Sequence, residues 1–170
     1  MIRICLHGAE STGKSQLAVQ LGYPWVPEYG RAYCEERGTD LTMDDLLAIA
    51  AGQDAAMRKA AAAQPDVLIL DTDPLMTAVW AQMLFGEIPP KLLAYEKADQ
   101  YLLFEPDVPW VGDGTRLFGS DLERARFAGM AEVVLNQAKV PFTRISGNWA
   151  EREAQAREAI DRLLNQMPTC

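Results

Sequence analysis

The sequence contains few cysteines, few basic residues and no long apolar run. Its three cysteines have no metal-ligand spacing and are odd in number, so a disulfide framework is not expected. Sixteen basic and twenty-four acidic residues give a net charge of −8. Binding to nucleic acid or to an anionic membrane requires a basic face, so a chain this acidic is a poor candidate for either. No apolar run approaches the ~18 residues of a membrane span, and no signal peptide is visible. We therefore expect a cytoplasmic protein that binds neither nucleic acid nor a membrane.

Apolar residues make up 49% of the 170 residues, which suits one domain over residues 1–170 and excludes a disordered chain. The pattern predicts strands at 2–6, 25–27, 67–70, 101–104 and 141–146, and helices at 14–21, 43 onward, 74–84, 91–98, 121–139 and 149–167. Alternation of strands and helices implies parallel pairing with right-handed crossovers. The predicted fold class is therefore a three-layer α/β sandwich, whose strand order the pattern leaves open.

A phosphate-binding loop follows the first predicted strand. The motif G-x-x-x-x-G-K-[ST] is matched by Gly8-Ala9-Glu10-Ser11-Thr12-Gly13-Lys14-Ser15. Its glycines allow successive backbone N–H groups to turn towards an anion, and the following helix adds its N-terminal donors. Lys14 has the reach for the β- and γ-phosphates, and the Ser15 hydroxyl can coordinate Mg²⁺. The sequence therefore predicts a nucleotide-phosphate site.

Two carboxylates follow neighbouring predicted strands and reach the same edge of the sheet. Ligands of open α/β sheets bind at the carboxyl ends of the strands. Glu28 is a candidate to accept the proton of an attacking hydroxyl, and Asp71 to hold Mg²⁺ and its waters. Asp73 is explained by its place as a helix cap before Pro74. The single histidine, His7, is expected to be a packed strand-end residue rather than a base.

Proline and glycine recur along residues 105–119, which predicts a long loop and a lid-like segment near residues 105–126. Arg116 and Arg124 in this segment are candidates to stabilise a transferring phosphoryl group. GTPases signal guanine with an N-K-x-D tetrad, and the sequence has none. A small-molecule kinase and an ATPase that drives movement remain, and the lid with its arginines favours the kinase.

Four segments carry a resemblance to a known family. In order, they are the P-loop Gly8–Ser15, Pro27-Glu28-Tyr29-Gly30-Arg31, Asp71-Thr72-Asp73-Pro74 and Asp107-Val108-Pro109-Trp110-Val111-Gly112-Asp113-Gly114-Thr115-Arg116. Together they resemble the nicotinamide riboside kinase domain of bifunctional NAD-biosynthesis regulators of the NadR type, over roughly residues 4 to 152. Because the first predicted strand begins at residue 2, a stand-alone kinase is expected.

The resemblance implies a nucleoside-kinase-like P-loop fold with five parallel strands. It also implies that ATP and Mg²⁺ are used to phosphorylate the 5′-hydroxyl of nicotinamide riboside. The acceptor-binding residues expected from it are Glu28, Tyr29, Arg31, Asp73, Trp110 and Asp113. Of these, Trp110 offers an aromatic face and Asp113 a negative charge to the positive pyridinium ring.

Charge and position refine this expectation. Residues 28–60, on the expected acceptor side, hold seven acidic and four basic residues, which suits a neutral or cationic acceptor unless most of the acids lie on a solvated helix face. The turn after the fifth strand, with Asn148 and Trp149, lies where P-loop kinases bring backbone to the adenine. Two alternatives stay open: a kinase for another nucleoside or nucleotide, and a regulatory P-loop ATPase module.

Overall fold

Helices and strands alternate along the chain. In the computed structural model, which describes residues 1–112 and 117–166, the elements are β1 (Ile2–Gly8), α1 (Lys14–Leu21), β2 (Trp25–Val26), α2 (Tyr29–Arg37), α3 (Met43–Ala61), β3 (Val67–Asp71), α4 (Pro74–Phe85), α5 (Pro90–Ala94), β4 (Gln100–Phe104), α6 (Asp121–Ala138), β5 (Phe142–Ile145) and α7 (Trp149–Gln166). The five predicted strands are thus confirmed to within one or two residues.

The strands form one parallel sheet in the order β2-β3-β1-β4-β5. The chain adds strands on one side of β1 and then crosses to the other side, so β1 is central. Leu6 pairs with Asp71 and Gly8 with Phe104, which brings the carboxyl ends of β3 and β4 beside that of β1. This crossing point is where open α/β sheets form their ligand crevice.

Both faces of the sheet are covered. Leu6, Ile69 and Leu102 belong to a core packed against α1 and α7, whereas Leu70 and Leu103 belong to a larger core on the opposite face. Successive side chains of a strand point to opposite faces, so a strand buried on both sides is apolar throughout. The three-layer arrangement predicted from the apolar runs is confirmed. None of the helices in the described ranges is both long enough and apolar enough to cross a membrane.

The helix starts follow the predicted capping residues. Thr42 and Ser120 each form a capping box with the acidic residue three positions later. Asp73 caps α4 ahead of Pro74, and the Asn148 side chain accepts a hydrogen bond from the Glu151 backbone N–H at 3.0 Å. Local hydrogen bonding thus sets where these helices begin.

Two helices differ from the prediction. The sequence pattern did not predict α2, which contains no buried residue and therefore has no apolar stripe to reveal it. The helix predicted at 91–98 is shorter, since α5 ends at Ala94. The Lys97 ammonium group donates to the carbonyls of Leu93 and Tyr95, so a side chain satisfies groups that a longer helix would have bonded.

Candidate active site

The P-loop owes its shape to two glycines in left-handed conformations. Gly8 has φ 127°, and a Cβ atom there would lie 2.6 Å from the Phe104 carbonyl oxygen. Gly13, with φ 83°, is the N-cap of α1. The Lys14 ammonium group folds over the loop and donates to the carbonyls of Gly8, at 2.9 Å, and Ala9, at 2.7 Å. The loop therefore has the backbone form that its motif predicts.

Side chains within the loop fix it internally and to its surroundings. The buried Thr12 hydroxyl donates to the Ala9 carbonyl at 2.8 Å. The Ser11 hydroxyl accepts a hydrogen bond from the Val111 N–H at 2.8 Å. Ser11 has φ 57°, a backbone strain of the kind that is concentrated at functional sites.

The predicted metal ligands Ser15 and Asp71 lie beside each other. Asp71 ends β3, is 1% exposed, and its Oδ1 atom has no hydrogen-bond partner among the described residues. Burial raises the pKa of Asp71, and the Ser15 hydroxyl, Lys14 and Arg31 act in the opposite direction. A carboxylate with an unpaired buried oxygen beside a hydroxyl is a donor set that fits Mg²⁺, which prefers oxygen ligands and substrate phosphates.

Glu28 lies at the end of β2, next to this pair. Burial raises its pKa to about 7, with a further contribution from the negative charge of Asp71. Lys14 and Arg31 partly offset this rise. A carboxylate whose pKa lies near neutrality is suited to accept a proton in catalysis.

Glu28 borders two adjoining hollows. We call the first, of about 630 Å³, the side pocket; its described lining includes Glu28, Arg31, Leu46, Ile49, Gln53 and Trp80. The second, of about 650 Å³, is the P-loop hollow; its described lining includes Gly13, Lys14, Ser15, Glu28 and Trp80. The side pocket is lined mainly by apolar side chains, whereas the P-loop hollow contains the phosphate-binding groups. Glu28 and Trp80 belong to both linings.

An aromatic wall borders the side pocket. The Trp80 ring is stacked on Phe118 with centroids 5.2 Å apart and meets the edge of Phe127 at 5.0 Å. The sequence analysis did not select Trp80. A signal was present, because Met76, Thr77 and Trp80 stand at the spacing of one helix face, in a helix that begins next to Asp71.

Buried Gln53 joins the two carboxylate-bearing turns, and it was also missed. Its amide oxygen accepts from the Tyr29 N–H at 2.7 Å, and its amide nitrogen donates to the Thr72 carbonyl at 3.3 Å. Thr72, directly after Asp71, has φ 74°. One side chain of α3 therefore holds the backbone beside Glu28 and the backbone beside Asp71.

Glu10 connects the P-loop to residues 117 and 118 of the lid segment. Its carboxylate accepts from the N–H groups of Leu117, at 3.0 Å, and Phe118, at 3.2 Å. Leu117 lines the side pocket and Phe118 supports Trp80. A P-loop side chain thus holds part of the side-pocket wall.

Several predicted acceptor residues lie elsewhere. Trp110 packs against Gly112 and Gly119, and it is not among the described residues that line either hollow. Tyr29 packs its ring on Gly52, where a Cβ atom would lie 2.4 Å from the ring. Asp73 is 1% exposed and accepts from the Leu75 N–H and the Tyr101 hydroxyl, so it acts as the helix cap.

The two predicted arginines have different outcomes. Arg124 is 4% exposed and donates to the Val108 carbonyl at 2.8 Å, so it holds the lid segment on α6 instead of reaching either hollow. Residues 121–126 of the predicted lid are the first turns of α6. Arg116 and Asp113 lie outside the described residues, and their roles stay predictions.

Most of the acidic residues in the segment 28–60 lie outside the two hollows. Asp45 completes a capping box and accepts from the Tyr33 hydroxyl, and Asp54 pairs with Arg58. Glu35 and Glu36 are exposed. Of the seven acids, Glu28 is the one that the described linings include. The solvated-face explanation therefore accounts for most of this charge.

Trp149, predicted to contact adenine, lies beside the P-loop. A Cβ atom on Gly13 would lie 2.5 Å from its ring. A slot of about 250 Å³, with Gly13, Gln16, Trp149 and Arg152 in its described lining, opens between α1 and α7. Asn148 is exposed at the start of α7, where it serves as the cap.

Sequence comparisons relate the chain to known proteins. A family model described as an AAA domain matches residues 3–152. The trifunctional NAD biosynthesis/regulator protein NadR of Escherichia coli is 30% identical over 155 residues, and that of Salmonella typhimurium is 29% identical. Each match covers 84% of the chain and 37% of the relative. The chain thus spans little more than a third of the length of the curated relatives it matches.

Solved structures share the fold. A crystal structure of NadR in complex with NR has a TM-score of 0.82 at 23% identity, covering 99% of this chain and 53% of the other. Deoxyadenosine kinase from M. mycoides has a TM-score of 0.66 at 13% identity, covering 98% and 100% of the two chains. Thymidylate kinase from Candida albicans reaches 0.65 at 15%, covering 98% and 93%. These likenesses confirm the predicted nucleoside-kinase-like fold.

Proposed function

The chain belongs to the AAA-domain family, and from that premise we propose that it is an ATP-dependent kinase that phosphorylates nicotinamide riboside to nicotinamide mononucleotide. The similarity to the two NadR proteins and to the structure with NR supports this acceptor. ATP is the proposed phosphoryl donor and Mg²⁺ the proposed metal ion.

The observation that carries the proposal is the position of Glu28 at the junction of the two hollows. A hydroxyl of an acceptor in the side pocket would meet the γ-phosphate of a donor in the P-loop hollow there. Glu28 takes the hydroxyl proton, the hydroxyl oxygen bonds to the γ-phosphorus, and the bond to the β-phosphate bridging oxygen breaks, which leaves ADP. Lys14 and the P-loop N–H groups hold the donor phosphates through this transfer.

Mg²⁺, held by Ser15 and Asp71 together with the phosphates, would neutralise phosphate charge in this reaction. The same two residues already lie beside each other in the site. Arg31, which lines both hollows, adds positive charge next to them.

The side pocket suits a planar, cationic acceptor. Trp80 contributes an aromatic wall, Glu28 and Glu10 contribute two negative charges against the one positive charge of Arg31, and most of the remaining described lining is apolar. A pyridinium ring is flat, positively charged and attracted by an aromatic face. The aromatic contact first predicted for Trp110 is thus proposed for Trp80.

A coupled assay of ADP release over a panel of nucleosides tests the function. ADP release should depend on the acceptor and be fastest with nicotinamide riboside, and Lys14→Ala should remove most of this activity while the fold persists. A preference for another nucleoside would make the chain a different kinase. Slow ATP hydrolysis unaffected by any nucleoside would instead identify a regulatory ATPase module.

A further inference from the structure

Arg152, on the first turns of α7, is a buried cation that no predicted role explains. It is 2% exposed, and its guanidinium donates to three backbone carbonyls: Gly147 at 2.8 Å, Glu105 at 3.1 Å and Thr12 at 3.4 Å. It also pairs with Asp107. These partners belong to three segments: the turn after β5, the P-loop, and the start of the lid segment, which contributes both Glu105 and Asp107.

Asp107 completes the arrangement from the other side. One of its carboxylate oxygens pairs with Arg152, and the other accepts from the Gly147 N–H at 2.7 Å. Arg152 holds the Gly147 carbonyl, so the two side chains hold Gly147 through both its N–H and its C=O. Gly147 has φ 86°, and this backbone form leads directly into Asn148 and Trp149.

The three hollows of the site lie in a row. The side pocket shares Glu28 with the P-loop hollow, and the P-loop hollow shares Gly13 and Gln16 with the slot beside Trp149. If the γ-phosphate of the donor faces the side pocket, its nucleoside must point towards the opposite end of this row of hollows. That end is the slot between the P-loop with α1 on one side and the start of α7 on the other.

We propose that Arg152, together with Asp107, is a positioning residue for the nucleoside part of the donor. Arg152 bonds to Thr12, which lines the slot, and to Gly147, two residues before the lining residue Trp149, and in this way it sets the separation of the two walls. The inference rests on the proposed function in one respect, namely that the donor is a nucleoside triphosphate.

The role requires arginine in particular. Its guanidinium has five N–H donors in a rigid plane, and here they reach four partners in three segments. Its charge centre also lies 5.9 Å from the Phe104 ring centroid and 5.8 Å from that of Trp149. A lysine keeps the charge but has a single nitrogen, which reaches only part of this set.

The test compares two ligands that differ in having a nucleoside. Calorimetry on the full chain would measure the affinity of ATP and of inorganic tripolyphosphate, both with Mg²⁺, for the original protein, Arg152→Met and Arg152→Lys. We expect Arg152→Met to weaken the binding of ATP by about ten- to a hundredfold, the scale of loss that follows a small misplacement. It should weaken the binding of tripolyphosphate by less than about twofold. The affinity of Arg152→Lys for ATP should lie between the affinities of the original protein and of Arg152→Met. No acceptor is present, so the outcome is independent of whether nicotinamide riboside is the substrate.

Arg157 supplies a matched control on the same helix. It donates to the carbonyls of Gln20 and Leu21, and its side chain is 44% exposed. Arg157→Met thus removes backbone contacts to α1 while the bonds of Arg152 to Thr12 and Gly147 stay in place, and it should leave both affinities unchanged. Because the Asp107 side chain is 42% exposed, Asp107→Asn should fold even if Arg152→Met does not. It too should weaken the binding of ATP more than the binding of tripolyphosphate. Equal loss of both ligands, or loss of stability alone, would overturn the proposal.

Discussion

Glu28 and Asp71 are both carboxylates at strand ends, and their surroundings separate their roles. Asp71 is buried beside Ser15, whereas Glu28 faces two hollows and has a pKa of about 7. Sequence position placed both at the same edge, with Glu28 as the expected base and Asp71 as the expected metal ligand. The difference between their surroundings arises only in the folded chain.

Glu28→Gln is expected to lower kcat by about 10²–10⁴, because the amide does not accept the hydroxyl proton. A base must be deprotonated to act, so kcat/KM of the original protein should rise with pH and level off above about 7. The variant should lose that rise. Initial rates with saturating ATP and Mg²⁺ between pH 5.5 and 9 measure both effects.

Glu35→Gln is the control for this substitution, since Glu35 is an exposed acid of α2 outside both described linings. It should retain the rate and the pH profile. If Glu28→Gln kept the original kcat while Asp71→Asn removed the pH-dependent rise without altering the Mg²⁺ dependence, the two roles would be reversed.

Trp80→Leu should raise KM for nicotinamide riboside more than KM for an uncharged nucleoside accepted by the same protein. Leucine keeps apolar bulk but lacks the ring quadrupole, which contributes about 0.5–2 kcal/mol, or about two- to thirtyfold in the ratio of the two KM values. Trp110→Leu serves as the comparison, since Trp110 packs on Gly112 and Gly119. An unchanged ratio in Trp80→Leu would show that Trp80 supplies only packing.

At the level of elements, the P-loop and the segment at 117–118 are held together by Glu10. The x positions of a P-loop motif carry no assigned chemistry, so the motif did not predict this contact. It exists because β1 and β4 are neighbours in the sheet, which places the segment after β4 beside the loop after β1. Strand order therefore creates a link between donor and acceptor regions.

Removal of this link should act mainly on the acceptor. Glu10→Ala leaves the Leu117 and Phe118 N–H groups without their acceptor, which should loosen the side-pocket wall and raise acceptor KM several-fold with a smaller change in ATP KM. Glu10→Gln keeps an oxygen acceptor and should recover part of the loss. Steady-state kinetics with each substrate varied in turn would measure this, and an equal rise in both KM values would contradict it.

At the level of the whole molecule, the single histidine couples stability to pH. His7 is fully buried, and neither ring nitrogen has a hydrogen-bond partner in the part of the chain that the structure describes. Burial, assisted by Lys14, lowers its pKa to about 3. Between about pH 6.5 and 3 the unfolded chain therefore binds a proton at this residue that the folded chain does not, and this contribution to stability falls as pH falls.

His7→Phe should remove this contribution while keeping a ring against Tyr101, the neighbour that His7 meets edge-on at 5.9 Å between centroids. The raised pKa of Glu28 has the opposite effect between about pH 4.5 and 7, so the informative quantity is the difference between variant and original. The free energy of unfolding of His7→Phe, minus that of the original protein, should increase by up to about 1.4 kcal/mol for each pH unit below pH 6.5. Urea unfolding of both proteins at pH 7, 6 and 5 measures this difference. Free energies of unfolding that change equally with pH in the two proteins would contradict the prediction.

The sequence by itself determined the elements and the chemistry of the P-loop. Apolar runs, capping residues and the glycine spacing act over a few residues, so the strands, most helix starts and the roles expected of Lys14 and Ser15 were readable without tertiary contacts. The position of Glu28 and Asp71 at one edge followed from parallel pairing. The exposed helix α2 was missed because it contributes no buried residue to the core.

Only the tertiary structure decided which residues line the hollows. Trp110 and Tyr29 follow motif positions yet pack on glycines, while Trp80, Gln53 and Glu10 reach the site from segments far apart in the chain. Arg152 joins four segments separated by up to 140 positions. A short pattern records a residue's neighbours along the chain. Which face each helix turns to the sheet, and which strands lie side by side, depend on packing of the whole core.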